Sequence, residues 1–349
     1  MRYYTQHHQY YCGIDLHARS LYVCVLDASG DILLHKNLNA DPHTLLAALE
    51  PFRDGLVIGC ECMFAWYWVA DLCAEQNIAF VLGHALYMKA IHGGKTKTDK
   101  IDAEKIARLL RGQMMPMAYV YPKGMRETRD LLRRRMYLVR KRAETMAHIQ
   151  NTNSQYNLEP FGKKIDRLSN RQELNIPERF DDERVKKTIA IDLDLLDFLD
   201  GQIKKLEWYL QKTAQTEDGN TLMRLRSIPG VGQILGLVML YEIHDIRRFE
   251  RVGQFLSYCR LVRPHHESAG KVKPGHGKKI GNAFLRWAFA EAVLLMLRRS
   301  DRAKKYKQRL ESKHGKGKAL AILAAKLARA VYYLLKKETM FDESKFFAS

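Results

Sequence analysis

The sequence lacks the features that mark membrane-bound, secreted and zinc-stabilised proteins. No apolar run reaches the roughly 20 residues of a membrane-spanning helix, and the segment MRYYTQHHQY has no signal-peptide core. The 6 cysteines are scattered through apolar segments, and the close pair Cys60 and Cys62 has no second pair to complete a zinc site. We therefore expect a soluble cytoplasmic protein with reduced thiols and no membrane partner.

Acidic side chains are also scarce. The sequence has 39 Asp+Glu and 58 Lys+Arg, which gives a formal net charge of +19 over 349 residues. Solubility does not require such an excess, which indicates a polyanionic partner. The imbalance is uneven: residues 1–90 contain 5 basic and 9 acidic side chains, whereas residues 91–349 contain 53 and 30. This pattern fits a metal site on an acidic N-terminal unit and phosphate-binding surfaces on the rest.

Hydrophobic patterning in the first third predicts an α/β unit. Residues 11–17, 20–28 and 31–38 are β-rich runs joined by short polar turns, as expected for an antiparallel meander. Further strands are predicted at 56–60, ending at Glu61, and at 78–83, with helices at 42–52, 64–77 and 101–112. Strands that alternate with helices favour an α/β layer.

The remainder is predicted to be mainly helical. A long basic helix covers 123–157, residues 158–182 form a hairpin or linker, and 183–213 has apolar residues near heptad spacing, typical of a coiled-coil arm. A Pro-Gly-Val-Gly turn within 225–243 resembles a helix-hairpin-helix, and two apolar helices follow at 282–298 and 316–337. We predict domains at 9–157, 158–215 and 216–340.

Four carboxylates stand where a two-metal phosphodiester site would need them. Asp15 interrupts an apolar strand, Glu61 ends another, and Asp99 and Asp102 open a helix. An i, i+3 pair shares one helix face, so these two acids can share metal ions, and Mg²⁺ is the simplest partner of an all-oxygen site. Asp99 and Asp102 also fit plain helix capping, which would be the better interpretation if they stood alone.

A family resemblance follows from blocks that occur in a fixed order: GIDLH (13–17), IGCE (58–61), KTDKIDAEKIA (97–107), SIPGVG (227–232), ESAG (267–270) and GKGKALAILAAKLARAVYYLLK (315–336). Over roughly 10–340 the chain resembles the DEDD transposases of the insertion-sequence 110 group, relatives of the Piv DNA invertases that act as bridge-RNA-guided recombinases. The resemblance implies a RuvC-like domain of the ribonuclease H type, a helical coiled-coil arm and a mainly α transposase domain with a serine nucleophile.

Carried over residue by residue, the resemblance assigns Asp15, Glu61, Asp99 and Asp102 as Mg²⁺ ligands and Ser268 as the nucleophile. Many relatives have Ser-Gly where this chain has Ser268-Ala269-Gly270, so the turn after the nucleophile differs. By itself, Ser268 would be an ordinary polar loop residue. The basic residues that we predict to contact nucleic acid are Lys95, Lys97, Arg133, Arg134, Arg135, Arg263, Lys271, Lys273, Lys278 and Lys279. Tyr137 lies among them and would allow stacking on unpaired bases.

These observations lead us to expect a Mg²⁺-dependent DNA recombinase that acts through a covalent phosphoserine on donor and target DNA. The resemblance further implies a bridge RNA and a homo-oligomer, a dimer or tetramer, with arm 183–213 as the oligomerisation element. Two alternatives stay open. One is a RuvC-like nuclease or junction resolvase that needs the acids and not the serine, and the other is an inert nucleic-acid-binding protein whose carboxylates only cap and pair.

Overall fold

The computed structural model describes residues 2–91, 98–217, 219–262, 265–268, 270–274 and 280–348, without the side chains of residues 90, 214–217, 265–268 and 271–274. Contacts divide the chain into two compact units, Met1–Lys123 and Gly124–Ser349. Within these described ranges, no helix combines the length and the apolar character needed to cross a bilayer.

The first unit is a mixed sheet with helices on both faces. Its elements are, in chain order, β1 (Tyr10–Leu16), β2 (Ser20–Asp27), β3 (Ile32–Asn39), α1 (Pro42–Leu49), β4 (Leu56–Glu61), α2 (Trp66–Glu75), β5 (Ala79–Gly83), α3 (Ala85–Ile91) and α4 (Asp99–Arg111). The strand order is β3-β2-β1-β4-β5, antiparallel among the first three strands and parallel from β1 through β4 to β5. The predicted α/β layer and its meander are therefore confirmed.

Alternate residues of β1 face two different cores, because successive side chains in a strand point to opposite faces. Cys12, Ile14 and Leu16 pack into the core that includes residues of α1 and α2. Tyr11 packs into the core that includes Ile106 of α4. Side chains at odd-numbered positions of β1 therefore belong to the face that α4 covers.

Helix α4 lies unusually close to the middle of the sheet. A Cβ atom on Gly13 would be 2.2 Å from the carbonyl oxygen of Ala103, and one on Gly59 would be 2.7 Å from Cδ1 of Leu110. Gly13 and Gly59 are register partners on the parallel strands β1 and β4. Two adjacent glycines thus let α4 contact the sheet directly, which fixes where the N-terminus of α4 lies relative to the strand ends.

The second unit is mainly helical. Its elements are, in chain order, α5 (Met125–Gln155), α6 (Leu168–Leu174), α7 (Glu183–Glu217), α8 (Gly219–Arg226), α9 (Gln233–Ile243), α10 (Val252–Tyr258), β6 (His265–Ser268), β7 (Lys271–Pro274), α11 (Ala283–Arg299), α12 (Asp301–His314), α13 (Lys316–Lys336) and α14 (Glu343–Phe347). Strands β6 and β7 form an antiparallel hairpin. The predicted boundary at residue 157 lies inside this unit, since α5 is grouped with the C-terminal helices, and the three-domain division stays a prediction.

Helices α5 and α7 form an antiparallel pair. Arg135 of α5 bonds to Glu207 of α7, and His148, further along α5, bonds to Asp192 near the start of α7. The connection between them contains α6, whose Arg171 is 4% exposed and bonds to Asp197 and Asp200. The segment predicted as a hairpin or linker therefore does connect two helices, but it is packed onto them.

The predicted heptad face of α7 is covered within the chain. Ile189, Leu196, Leu199, Ile203 and Leu210 are buried. Ile189 and Leu196 pack in the core that includes Ile149 of α5, and Leu210 packs in the core that includes Leu132 and Met136 of the same helix. The heptad spacing thus correctly indicates a helix–helix contact, but that contact is made with α5 of the same chain.

Candidate metal centre and nucleic-acid surfaces

Two of the predicted acids lie at the C-terminal ends of neighbouring parallel strands, Asp15 as the second-last residue of β1 and Glu61 as the last residue of β4. Register pairs run along β1 and β4 up to Ile14 opposite Cys60, so Asp15 and Glu61 follow directly at the same edge of the sheet. Both occupy positions on the face that α4 covers, by the alternation that buries Ile14 and Cys60 on the opposite face. The side chain of Asp15 is 17% exposed. This edge is where the carboxylates of the first unit converge.

Helix α4 brings a third carboxylate to this edge. Thr98 caps the helix by accepting a hydrogen bond from the backbone N–H of Ile101 at 3.3 Å, and Asp99 is the first helical residue. One Oδ atom of Asp99 lies 3.5 Å from Nε2 of His17, and that same nitrogen lies 3.5 Å from Oδ2 of Asp15. Ligand atoms of Asp15, His17 and Asp99 all lie within 4.8 Å of one another.

Asp102 and Glu61 stand outside this tight group of described residues. Asp102 lies one turn further along α4, where Oδ1 accepts a hydrogen bond from Nζ of Lys105 at 3.2 Å. The structure therefore brings Asp15 and Asp99 together, with Glu61 at the same sheet edge and Asp102 on the same helix. The capping alternative is not needed for Asp99, because Thr98 provides the cap.

The grouped side chains fit a divalent cation. Carboxylate oxygens are ligands that hard divalent cations prefer, and imidazole nitrogen is a common ligand of transition metals. Asp15 and Asp99 come from a strand and from a helix that lies far away in sequence, so their meeting is a product of the fold. Sequence reasoning missed His17. Its signal was present, since His17 stands two positions after Asp15 and directly follows β1, so continuing the strand's alternation places it on the same face.

Ser268 is described only through its backbone. It ends β6 and pairs in register with Lys271 of β7, across a turn in which Gly270 has φ +72°. A positive φ of this kind favours glycine, so Gly270 suits its position directly before Lys271. The structure does not describe the side chains of Ser268, Lys271 and Lys273. Five further predicted residues lie wholly outside the described ranges: Lys95, Lys97, Arg263, Lys278 and Lys279.

Two family models match separate parts of the chain. The model of the DEDD transposases of the IS110 type matches residues 12–157, and the model described as the transposase IS116/IS110/IS902 family matches residues 222–308. The chain belongs to the IS110 family of transposases. Transposases of this family cut and rejoin DNA, so the protein is an enzyme of an insertion sequence and DNA is its partner.

Individual relatives agree with this assignment. The transposase is 23% identical over 341 residues to the transposase for insertion sequence element IS1111A of Coxiella burnetii. The aligned region covers 94% of this chain and 90% of that protein. It is 26% identical over 152 residues to a probable family 20 transposase of Pseudomonas aeruginosa, covering 42% of this chain and 44% of that protein. The first of these similarities extends across both units.

The three consecutive arginines of α5 have different environments in the transposase. Arg133 donates from Nε and from a terminal nitrogen to the two carboxylate oxygens of Glu242, at 2.6 and 3.0 Å, and its guanidinium lies 4.4 Å from the ring centre of Phe284. Arg135 donates to Glu207 at 2.5 and 2.9 Å. Arg134 is exposed and lies 5.0 Å from the ring centre of Tyr137. Arg134 is therefore the most exposed of the three, and the contact of all three with nucleic acid stays a prediction.

Glu242 is the centre of a buried ion-pair cluster that links α5 to the C-terminal helices. It is 1% exposed and also accepts hydrogen bonds from Nε of Arg129 at 2.9 Å and from Nδ2 of Asn282 at 2.7 Å. Burial alone would raise the pKa of Glu242, but the hydrogen bond from Arg133 and the charges of Arg129 and Arg133 outweigh it, and the pKa lies below its ordinary value. Part of the basic excess of α5 is therefore balanced inside the unit.

Proposed function

We propose that this transposase exchanges DNA strands through a RuvC-like metal centre and a covalent phosphoserine. Asp15, Glu61, Asp99 and Asp102 hold Mg²⁺, and Ser268 is the nucleophile. The observation that carries the proposal is the meeting of Asp15 and Asp99 at the end of the central strand, within 3.5 Å of one imidazole nitrogen. The bridge RNA, the oligomer and the cytoplasmic location that the sequence predicts are part of the same proposal.

The sheet of the first unit supports a RuvC-like assignment. Its order β3-β2-β1-β4-β5 places β1, whose second-last residue is Asp15, at the centre, beside the parallel strand β4 that ends in Glu61. Asp99 then approaches from the helix that covers this face. Carboxylates from adjacent strand ends and from one helix are an arrangement suited to holding metal ions at a phosphodiester.

The chemistry assigned to Ser268 is a transesterification. Its Oγ forms a bond to phosphorus while one P–O bond to a deoxyribose breaks; the serine proton leaves, and the released sugar oxygen takes up a proton. Attack of a sugar hydroxyl from the exchanged strand then reverses these changes and regenerates the serine, so the phosphodiester energy is retained. A bound divalent cation supplies charge neutralisation at the scissile phosphate. Asp15 and Asp99 would bind that cation and fix its position.

The decisive experiment is to trap the covalent intermediate with a nicked oligonucleotide substrate in the presence of Mg²⁺. Wild-type protein should form a labelled protein–DNA adduct that survives denaturing gels, and Ser268→Ala should remove the adduct while RNA and DNA binding persist. Asp15→Asn and Asp99→Asn should also remove it. Free DNA ends without a protein-linked strand, formed equally by Ser268→Ala, would instead support a metal-dependent nuclease.

RNA guidance needs a separate experiment. In a guided system, base pairing with the RNA recognises the target sequence, and protein side chains do not. RNA that copurifies with the expressed full-length protein should be sequenced. We expect it to map to the flanks of the element's own coding sequence. Binding of bulk cellular RNA alone, together with no Asp15-dependent metal binding, would favour the inert nucleic-acid-binding alternative.

The oligomer that we propose uses a second face of α7, since the first is covered by α5. Ile191, Leu195, Phe198 and Tyr209 are 44–60% exposed, and their spacing places them in one stripe along the helix. We name these four residues the α7 stripe. Such a row of large apolar side chains on an otherwise charged helix is typical of an interaction surface.

A second copy of the chain is the partner whose charges suit this surface. The exposed Asp194 lies beside the N-terminal half of the α7 stripe, and the exposed Lys205 and Lys212 lie beside its C-terminal half. In an antiparallel, two-fold arrangement each acidic half would meet the basic half of the other copy. A parallel arrangement would place like charges together.

A further inference from the structure

The strand that supplies Asp15 also supplies a nitrogen ligand. Tyr11 and Gly13 of β1 contact the α4 side of the sheet, and continuing the two-residue alternation places Asp15 and then His17 on that side. His17 follows the last residue of β1 directly. Continuing the alternation of β1 by one residue past its end therefore places the imidazole on the same side of the sheet as Asp15.

The backbone of His17 is held in place by the turn that follows. Its N–H donates to the carbonyl oxygen of Ser20 at 2.9 Å, which closes the connection from β1 to β2. The side chain is 51% exposed and directs Nε2 between Asp15 and Asp99, 3.5 Å from an oxygen of each. A ring nitrogen at equal distance from two carboxylates is in position to share a cation with both.

The helix side of the group is equally fixed. The close approach of α4 at Gly13 sets its position on the sheet, and Nε2 of His35 on β3 lies 3.0 Å from the carbonyl oxygen of Lys100, in the first turn of α4. Asp99 is thus presented from an anchored helix end. The three donors come from two supported elements, which favours a preformed site.

We propose that Nε2 of His17 is a direct ligand of the divalent cation that Asp15 and Asp99 bind, so that the centre has a mixed nitrogen and oxygen donor set. This rests on the metal centre proposed above. Mg²⁺ favours oxygen ligands, whereas divalent transition metals gain affinity from imidazole. His17 therefore raises the affinity of the centre for transition-metal ions such as Mn²⁺ more than its affinity for Mg²⁺.

The test uses Mn²⁺ alone with the full-length protein, at one fixed pH. Pulsed electron paramagnetic resonance detects the ¹⁴N coupling of an imidazole bound directly to Mn²⁺. We expect this coupling in the wild type and its loss in His17→Gln. Titration should show that Mn²⁺ affinity falls on the order of 10-fold or more in His17→Gln, with a much smaller change for Mg²⁺. Thermal unfolding of His17→Gln should match the wild type.

Two controls separate the inference from the proposed function. His43→Gln changes an exposed histidine on α1 and should keep both the ¹⁴N coupling and the Mn²⁺ affinity. If Mn²⁺ binds in an Asp15-dependent manner but wild-type spectra show no ¹⁴N coupling, His17 lies beside the carboxylates without binding the metal and this inference is overturned, while the metal centre stands. If neither Mn²⁺ nor Mg²⁺ binding depends on Asp15, the metal centre itself is refuted.

Discussion

Gly13 of β1 and Ala103 of α4 are in such close contact that a methyl group on Gly13 would lie 2.2 Å from the Ala103 carbonyl oxygen. The same methyl group would lie 2.4 Å from the backbone nitrogen of Ala107. Both neighbours are backbone atoms, so the clash cannot be relieved by rotating a side chain. The contact fixes α4, and with it Asp99, relative to the strand that contains Asp15.

Replacing Gly13 by alanine should therefore disturb both folding and the metal centre. We expect the free energy of unfolding of Gly13→Ala to fall by about 1–3 kcal/mol, the range for overpacked cores, and Mn²⁺ affinity to fall as Asp99 moves away from Asp15. Urea unfolding and metal titration measure the two effects. Gly253→Ala is the control, because nothing lies within 4 Å of its added methyl group; an equal loss there would refute the steric explanation.

Glu242 should be essential for the stability of the second unit. Glu242→Gln removes the charge that balances Arg129 and Arg133, and breaking a buried ion pair in this way costs about 3–5 kcal/mol. Urea unfolding followed by circular dichroism measures the loss. Glu207→Gln, which removes the more exposed partner of Arg135, should cost about 1 kcal/mol or less. Similar losses of stability in both variants would mean that the burial of Glu242 does not determine how much its ion pairs stabilise the fold.

The same carboxylate predicts how stability depends on pH. The pKa of Glu242 is lower in the folded protein than its ordinary value, so its stabilising contribution is present above the unfolded-state pKa and is lost as pH falls through the folded-state pKa. The difference in free energy of unfolding between wild type and Glu242→Gln should therefore shrink on acidification. Unfolding curves measured from neutral to acidic pH test this, and a constant difference would contradict it.

Neighbouring arginines on α5 should separate nucleic-acid binding from stability. Arg134→Ala removes an exposed cation and should weaken binding of DNA and RNA and reduce the slope of log affinity against log salt by about 1, with little change in stability. Arg133→Ala removes an ion-pair partner of the buried Glu242 and should mainly lower the free energy of unfolding. Filter binding at several salt concentrations, beside urea unfolding, distinguishes them; the reverse pattern would exclude Arg134 from the binding surface.

The α7 stripe should control self-association. Phe198→Glu places a charge in the centre of the apolar row, where Phe198 is 60% exposed, and should shift the protein toward the monomer in analytical ultracentrifugation without lowering its melting temperature. Ile322→Glu is the matched control, since Ile322 is a partly exposed apolar residue on α13. An unchanged mass distribution for Phe198→Glu would show that the copies associate through another surface.

Local patterns were sufficient to predict strands β1 to β5 and helices α1, α2 and α4 of the first unit, whereas α3 was not predicted. Alternation of apolar residues gave β1 to β3, and the apolar run before Glu61 gave β4, because strand burial depends on a two-residue period that can be seen in the sequence. The positions of Asp15 and Glu61 at strand ends followed in the same way. These properties depend on residues that are neighbours in the chain, so the local sequence is enough to predict them.

The pairing of charges was not predictable from the sequence of α5. Its basic residues indicated a nucleic-acid surface, but Arg133 and Arg135 meet acids on α9 and α7 that lie far away in the chain. Likewise, the heptad spacing of α7 predicted a helix partner without identifying it as α5. Which partner a helix face meets depends on long-range packing, and the spacing of residues within one helix holds no information about that choice.

The sequence by itself determined the strands of the first unit, the long helices α5, α7, α11 and α13, the four acids and the family resemblance, because each depends on residues that are close in the chain or on motifs in a fixed order. Only the tertiary structure decided that His17 joins Asp15 and Asp99, that Asp102 instead bonds to Lys105, and that Glu242 neutralises part of the basic helix. These outcomes require distances across the sheet and between helices, which are set by how closely the elements pack.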